Sequence, residues 1–295
     1  MQPYLFHLHA LSALHCGTGQ ATGVVDQPIA RARATNLPIV PGSSIRGVLR
    51  EELTTSSPND VATLFGPEAT KLTNDINNNT KEIFAGALAI GDAHLLILPM
   101  RCLAGIVCYA TAPFVLKRYA QDLTRASITD IPNIPIPHDD SAYIAAGSVN
   151  KSERNLVLED IDLIAEYKSA ATQWAEKIAQ HIYPQDTTAQ DDLKQRFAIL
   201  PDNVFNFLAE TATEVRARIA IDHETGIVKE GALWYEENLP AESILWGIYA
   251  LSNSMNTKDS RTAAQLKDRL PKSGSLLQLG GNASVGRGLM RFLRQ

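Results

Sequence analysis

Along residues 3–14 apolar and polar positions alternate loosely until Gly17 and Gly19 interrupt them, the pattern of a first strand running into a turn. "LPIVPGSS" is a short apolar segment stopped by Pro41-Gly42, after which Ser43 or Ser44 can cap a helix burying Ile45, Val48, Leu49 and Leu53. The polar, Asn-rich stretch 55–81 predicts mostly irregular surface. "EIFAGALAIGDAHLLILP" and "CLAGIVCYAT" read as two strands, and the Pro-, Ser-, Asn- and Asp-rich stretch 127–155 as a long loop or insertion. Residues 160–183 carry a helical period that places Ile161, Ile164, Ala171, Trp174, Ile178 and Ile182 on one face, with Pro184 as the stop. "EVRARIAIDHETGIVKEGALWYEENLP" predicts two strands joined by a turn at His223 to Gly226. A strand over 241–252, a charged helix over 259–271 and a glycine-rich loop running into a last strand complete the chain. Strands and helices alternate, which points to an α+β fold.

The chain has 295 residues, 45% of them hydrophobic, enough for one large domain or two small ones. No apolar run reaches the roughly 18 residues that span a bilayer. The N-terminus lacks a positively charged leader region, so no signal peptide and no membrane partner are expected. Cys16, Cys102 and Cys108 form no CxxC pair, which argues against a zinc ribbon or a disulfide framework and fits a reducing cytoplasm. The net charge is −5, yet residues 1–50 carry +3 and residues 261–295 carry +6, leaving −14 for the middle. Basic ends on an acidic chain suit either a polyanion held on one surface or ordinary charge fluctuation.

Candidate chemistry gathers near the N-terminus. His15 precedes a Gly17-Thr18-Gly19 turn and Asp26 follows eleven residues later. The pair could do acid–base work on a phosphodiester, or Asp26 could hold a metal ion. Equally, Asp26 could cap a turn and His15 could be a satisfied structural histidine. Three glycine-rich turns, at Gly17 to Gly19, Gly42 to Ser44, and Gly280-Gly281 to Gly286-Arg287-Gly288, could bring backbone N–H groups to phosphate oxygens. None is followed by the GK[ST] of a nucleotide-binding loop. His7 and His9 share one side of the first strand and read as core or edge histidines. Trp234 and Tyr235 could stack on bases or simply pack a hairpin.

Read together, "HCGTG" (15–19), "DQPIAR" (26–31) and "PGSSIRG" (41–47) resemble the N-terminal signature of the backbone subunits of type III-B CRISPR effectors, within the repeat-associated mysterious protein (RAMP) superfamily. "GDAHLLILPMRCLAGIVCYATAPFVLKR", "GALWYEENLP" and "GGNASVGRGLMRF" resemble further blocks, so the likeness spans nearly the whole chain. It implies a single RAMP domain over 1–295 with an RNA-recognition-motif, ferredoxin-like core. Insertions are expected at about 54–82 and 127–200, with a hairpin thumb near 219–237; the loop-rich 127–157 segment competes for the thumb. It implies copies stacked as a helical filament on CRISPR guide RNA with other Cmr-complex subunits, cutting single-stranded target RNA at regular intervals. Asp26 falls at the family's catalytic aspartate, with His15 nearby. A divalent metal ion, Mg2+ or Mn2+, is the implied cofactor, held by Asp26. Expected RNA-binding positions are Gly17 and Gly19, then Arg31 and Arg33, then Ser43, Ser44, Arg46 and Arg50 on the first helix. Gly280, Gly281, Gly286, Arg287 and Gly288 of the closing loop complete the set. Glu230, Glu236 and Glu237 are possible supporting acids that the sequence does not separate. A non-catalytic RNA-binding scaffold and a stand-alone repeat-RNA processing ribonuclease are the alternatives.

Overall fold

A computed structural model describes residues 1–19, 25–67 and 83–295. The chain opens with β1 (Gln2–Ala10), a two-residue β2 (Ile39–Val40), α1 (Gly42–Ser56) and α2 (Pro58–Phe65). Next come β3 (Leu88–Ile90), β4 (Ala93–Cys102), β5 (Ile106–Thr111) and α3 (Pro113–Arg125). The middle holds β6 (Ser141–Ile144), β7 (Lys151–Ser152), β8 (Asn155–Leu158), β9 (Ile161–Tyr167), α4 (Ser169–Ile182), α5 (Thr187–Arg196), β10 (Phe197–Ile199) and α6 (Asp202–Thr211). The last part holds β11 (Glu214–Ile221), β12 (Val228–Asn238), β13 (Ile244–Leu251), α7 (Ala263–Lys267), β14 (Ser275–Gln278) and β15 (Leu289–Arg294).

Among the described residues, thirteen of these strands form one sheet, eleven of them along the path β14-β15-β1-β13-β4-β5-β10-β6-β9-β8-β7, with β2 paired to β4 and β3 to β13. A further pairing of Cys102 on β4 with Leu158 on β8 curls its second half back on itself like a barrel. β1 is antiparallel to both neighbours, β13 and β15. Its alternate residues face two layers. Phe6 packs beside Phe292, whereas His7 and His9 face Tyr119 of α3 and Tyr183 after α4. Both histidines are buried and hydrogen-bonded, His7 Nε2 to the Tyr119 hydroxyl at 2.8 Å and His9 Nε2 to Glu242 Oε2 at 2.7 Å, as core histidines should be.

Several expectations change. Residues 160–183 are not one helix: Ile161–Tyr167 is a strand and only Ser169–Ile182 is helical. β9 pairs with β6 and β8, and that ladder overrides the local 3.6 period. The stretch 55–81 is not all irregular, since α1 runs to Ser56 and α2 follows from Pro58; residues 68–82 lie outside the described set. Cys102 ends β4 instead of opening the next strand. Residues 127–155 include β6, β7 and the start of β8. The charged helix over 259–271 shrinks to five residues. Neither Ser43 nor Ser44 caps α1. Its Gly42 N–H donates to Asp92 Oδ1 at 2.8 Å, and a Cβ at Gly42 would sit 2.7 Å from the Ile90 carbonyl oxygen, so the helix starts where only glycine fits.

Burial pushes His181 down to about 4, helped by Lys177, and holds His7 well below its ordinary value, helped by His181. Both histidines are therefore neutral in the folded protein while the unfolded chain takes up protons near pH 6.5. Stability is then expected to fall as pH drops from about 6.5 towards about 4, by up to about 1.4 kcal/mol per pH unit for each histidine. Thermal melts across that window check it. His181→Gln should flatten part of the slope, and a melting temperature indifferent to pH contradicts the assignment.

Candidate active site at the hairpin base

β11 and β12 form a two-stranded sheet separate from the main one. They pair in register from Glu214↔Asn238 to Ile219↔Leu233, and again at Ile221↔Val228 beyond a bulge. The hairpin exposes Val215, Ile219, Ile221, Ile227, Val228, Leu233 and Tyr235. A lone hairpin is marginal in water, and one this apolar on its surface is built to meet a partner. The 127–157 segment that competes for the thumb contributes β6, β7 and most of β8 to the main sheet, whereas the hairpin expected near 219–237 spans 214–238 and forms a sheet of its own.

Four segments converge at its base. Leu14 and Leu239 exchange backbone hydrogen bonds, Leu14 N–H to Leu239 O at 2.8 Å and Leu239 N–H to Leu14 O at 2.9 Å. Gln27 N–H donates to Tyr235 O at 3.1 Å, and Glu237 N–H to Gln27 O at 3.0 Å. Ala30 N–H donates to Cys16 O at 2.7 Å, and Gly281 N–H to His15 O at 2.8 Å. Residues 13–17, 26–31, 235–239 and 280–288 thus make one constellation, although 275 positions separate its ends (13 and 288).

Asp26 is exposed, and its Oδ2 accepts the Tyr235 N–H at 2.7 Å. The carboxylate therefore stands in solvent at a height fixed by the hairpin. His15 is buried, and its Nδ1 lies 2.7 Å from the Glu237 carbonyl oxygen. A carbonyl only accepts, so Nδ1 carries the proton and Nε2 is the basic nitrogen. Nε2 lies against Gly17: a Cβ there would sit 2.7 Å away, and one at Gly281 would be 3.5 Å from Cδ2. His15 and Asp26 are thus held by neighbouring stations of the same strand.

The glycines do something other than cradle phosphate. The N–H groups of Gly281, Gly286 and Gly288 already donate to His15 O, Ala283 O and Ala13 O. Gly280 has φ +76°, and a Cβ there would sit 2.2 Å from His15 O; at Gly288, φ is +79° and the Cβ would meet Leu279 O at 1.9 Å. Such positions exclude any side chain. Gly19 also has positive φ, and among the described residues no atom lies within 4 Å of where its Cβ would stand.

Three arginines expected on RNA point inward. Arg31 donates to Asn36 O at 2.9 Å, Ala209 O at 3.0 Å and Glu237 Oε1 at 2.5 Å. Arg46 donates to the Phe65 carbonyl and lies over the Phe65 ring. Arg287, 12% exposed, faces the buried Glu236 carboxylate at 3.6 Å, which Arg218 meets at 3.4 Å from the other side. Arg33 and Ser43 are exposed, and Arg50 is half-buried on α1. Ser44 hydrogen-bonds the Cys16 thiol, which burial pushes up, so that cysteine is a packing group rather than a nucleophile.

The donor set bears on metal. Among the described residues no three His, Cys, Asp or Glu side chains cluster to hold an ion. Glu236 and Glu237 are both neutralised by arginines, which leaves Asp26 as the one carboxylate here open to solvent. This set does not fit a resident metal centre.

The sequence matches the RAMP superfamily over residues 7–291. It is 34% identical over 295 residues to the CRISPR system Cmr endoribonuclease Cmr4 of Pyrococcus furiosus, covering 99% of this chain and 95% of that one. The fold is similar to the crystal structure of oligomeric Cmr4 from Pyrococcus furiosus, with a TM-score of 0.74, 26% identity, and 100% and 98% of the two chains covered. It also superposes on a chain of the type III-B Cmr-beta complex bound to cognate target RNA, with a TM-score of 0.73 and 99% and 96% covered; at 18% identity that likeness speaks for the fold alone.

Proposed function

Because the chain belongs to the RAMP superfamily, sharing with Cmr4 nearly its whole length, we propose that it is a backbone subunit of a type III-B CRISPR effector that cuts guide-paired target RNA. Copies stack along guide RNA with other Cmr subunits, in the cytoplasm, and each cuts the target beside its own hairpin. The observation that carries this reading is the solvent-facing Asp26 carboxylate, tied to the base of an apolar hairpin by the Tyr235 N–H.

The chemistry follows from RNA. The target carries its own nucleophile, a 2′-hydroxyl next to each phosphorus. The hairpin wedges into the duplex and splays one nucleotide, bringing the 2′-oxygen, phosphorus and leaving 5′-oxygen towards a line. Asp26 takes the 2′-hydroxyl proton, directly or through one water. The new O–P bond forms, the P–O5′ bond breaks, and the leaving 5′-oxygen takes a proton from water. The products are a 2′,3′-cyclic phosphate and a 5′-hydroxyl. His15 is held at a neighbouring station of β12, its tautomer fixed by the Glu237 carbonyl. Were the RNA to bring a divalent ion, Asp26 would be the carboxylate of this site able to meet it.

The core reads as RNA-recognition-motif-like. The strand order β15-β1-β13-β4, all antiparallel, with α1 between β1 and β4 and α7 between β13 and β15, supports a split βαβ arrangement. Here α3 and α4 cover the sheet face carrying His7, so RNA runs over the loops and hairpin and not across that face. Sequence is then read by base pairing with the guide, while the protein grips backbone.

Reconstitution with guide RNA and partner subunits tests this. Complementary target should be cut at regular intervals, and free hairpin RNA should survive the chain alone. Intact target makes the chain a scaffold; cleavage of free repeat hairpins makes it a stand-alone processing enzyme.

A further inference from the structure

We propose that Glu237 is the positioning residue of this site: its side chain sets the Asp26 loop and its backbone carbonyl holds the His15 imidazole; the inference rests on the reaction proposed above. Glu237 sits near the end of β12 and is buried. Its Oε1 accepts from Arg31 Nη2 at 2.5 Å and from the Thr213 hydroxyl at 2.9 Å. Its Oε2 accepts the Ile29 N–H at 3.0 Å. Its own N–H donates to Gln27 O at 3.0 Å, and its carbonyl accepts His15 Nδ1–H at 2.7 Å.

Those five bonds reach both sides of the reactive carboxylate. Gln27, Ile29 and Arg31 all follow Asp26 within five positions, and each is fastened to the same residue. Asp26 itself is fastened to Tyr235, two positions earlier on the same strand. Tyr235 and Glu237 have the same strand parity, so they present the same backbone edge to the loop. Thr213 stands immediately before β11, so the carboxylate also couples the loop to the first strand of the hairpin. Movement of the hairpin is thereby transmitted to Asp26 through Glu237 and Tyr235.

The charge matters as well as the shape. Arg31, Thr213 and the Ile29 N–H all donate, and only a carboxylate offers acceptors to all of them. A glutamine at the same place turns one acceptor into a donor facing another donor. Either Arg31 or the Ile29 amide then loses its partner, and the loop shifts. A displacement on the order of 1 Å at a reacting group can cost about 100-fold in rate. Glu236, one position away, cannot substitute, because it faces Arg218 and Arg287.

The test uses Glu237→Gln in the assembled effector, with single-turnover cutting and target affinity measured separately. Cutting should slow roughly 10- to 100-fold with affinity unchanged. Adding Arg31→Met, which removes the competing donor, should restore part of the rate; a merely structural lesion would be made worse. If Glu237→Gln impairs assembly, Thr213→Val removes a single bond to the same carboxylate and should slow cutting about 2- to 10-fold. Wild-type cutting in whichever of these two variants assembles overturns the proposal, as does loss of affinity in step with rate. Asp26→Asn run alongside separates the two ideas: if it cuts normally, the reaction reading has failed, and if it alone is inert, only the role of Glu237 has.

Discussion

One 2′-deoxynucleotide at the scissile position of the target should abolish that cut and leave the neighbouring cuts at full rate. The nucleophile in the proposed reaction belongs to the substrate, so removing one oxygen removes the reaction at that phosphorus. Only a bimolecular attack by water remains, and forfeiting a well-oriented internal nucleophile costs roughly 10⁵-fold or more. Neighbouring cuts persist because each copy brings its own Asp26, held by its own Tyr235 N–H. A labelled target read on a sequencing gel shows both effects at once. Products should end in a cyclic phosphate on one side and a 5′-hydroxyl on the other. A 3′-hydroxyl end would mean that water attacked, and loss of every cut from one substitution would mean that a single active site serves the whole target.

The parts of this site that were legible in the sequence are those whose signal is local. The glycine-flanked His15, the Asp26 segment and the hairpin over 214–238 lie in short stretches whose patterns survive folding. The parts that were not legible depend on partners far along the chain. Arg31 reads as an anion-binding residue until its partner is seen, 206 positions away at Glu237. Gly281 and Gly288 read as phosphate-cradling until their N–H groups are found bonded to His15 and Ala13. The acidic pair at 236–237 was visible, but strand alternation decides which acid faces which arginine, and alternation needs the register. The fold shows the same division. The hydrophobic face of α4 was readable from Ala171 to Ile182, but Ile161 and Ile164 continue its period by coincidence. They belong to β9, where Ile164 is exposed and opposes Ser141 and Asn155.

Exchanging Asp26 for asparagine is the other change with a large expected effect, because it separates the charge of that side chain from its place in the fold. Asparagine keeps an oxygen for the Tyr235 N–H, so the loop stays on the hairpin. It is nearly isosteric, so the exposed surface met by RNA is unchanged in shape. What disappears is the group that takes a proton from the 2′-hydroxyl, a contribution of typically 10²- to 10⁴-fold in rate. The most direct measurement is a single-turnover time course of target cutting by effector assembled with Asp26→Asn, with target affinity followed by gel shift. The account predicts cutting slowed by roughly 10²-fold or more at unchanged affinity. Cutting at the wild-type rate would contradict it.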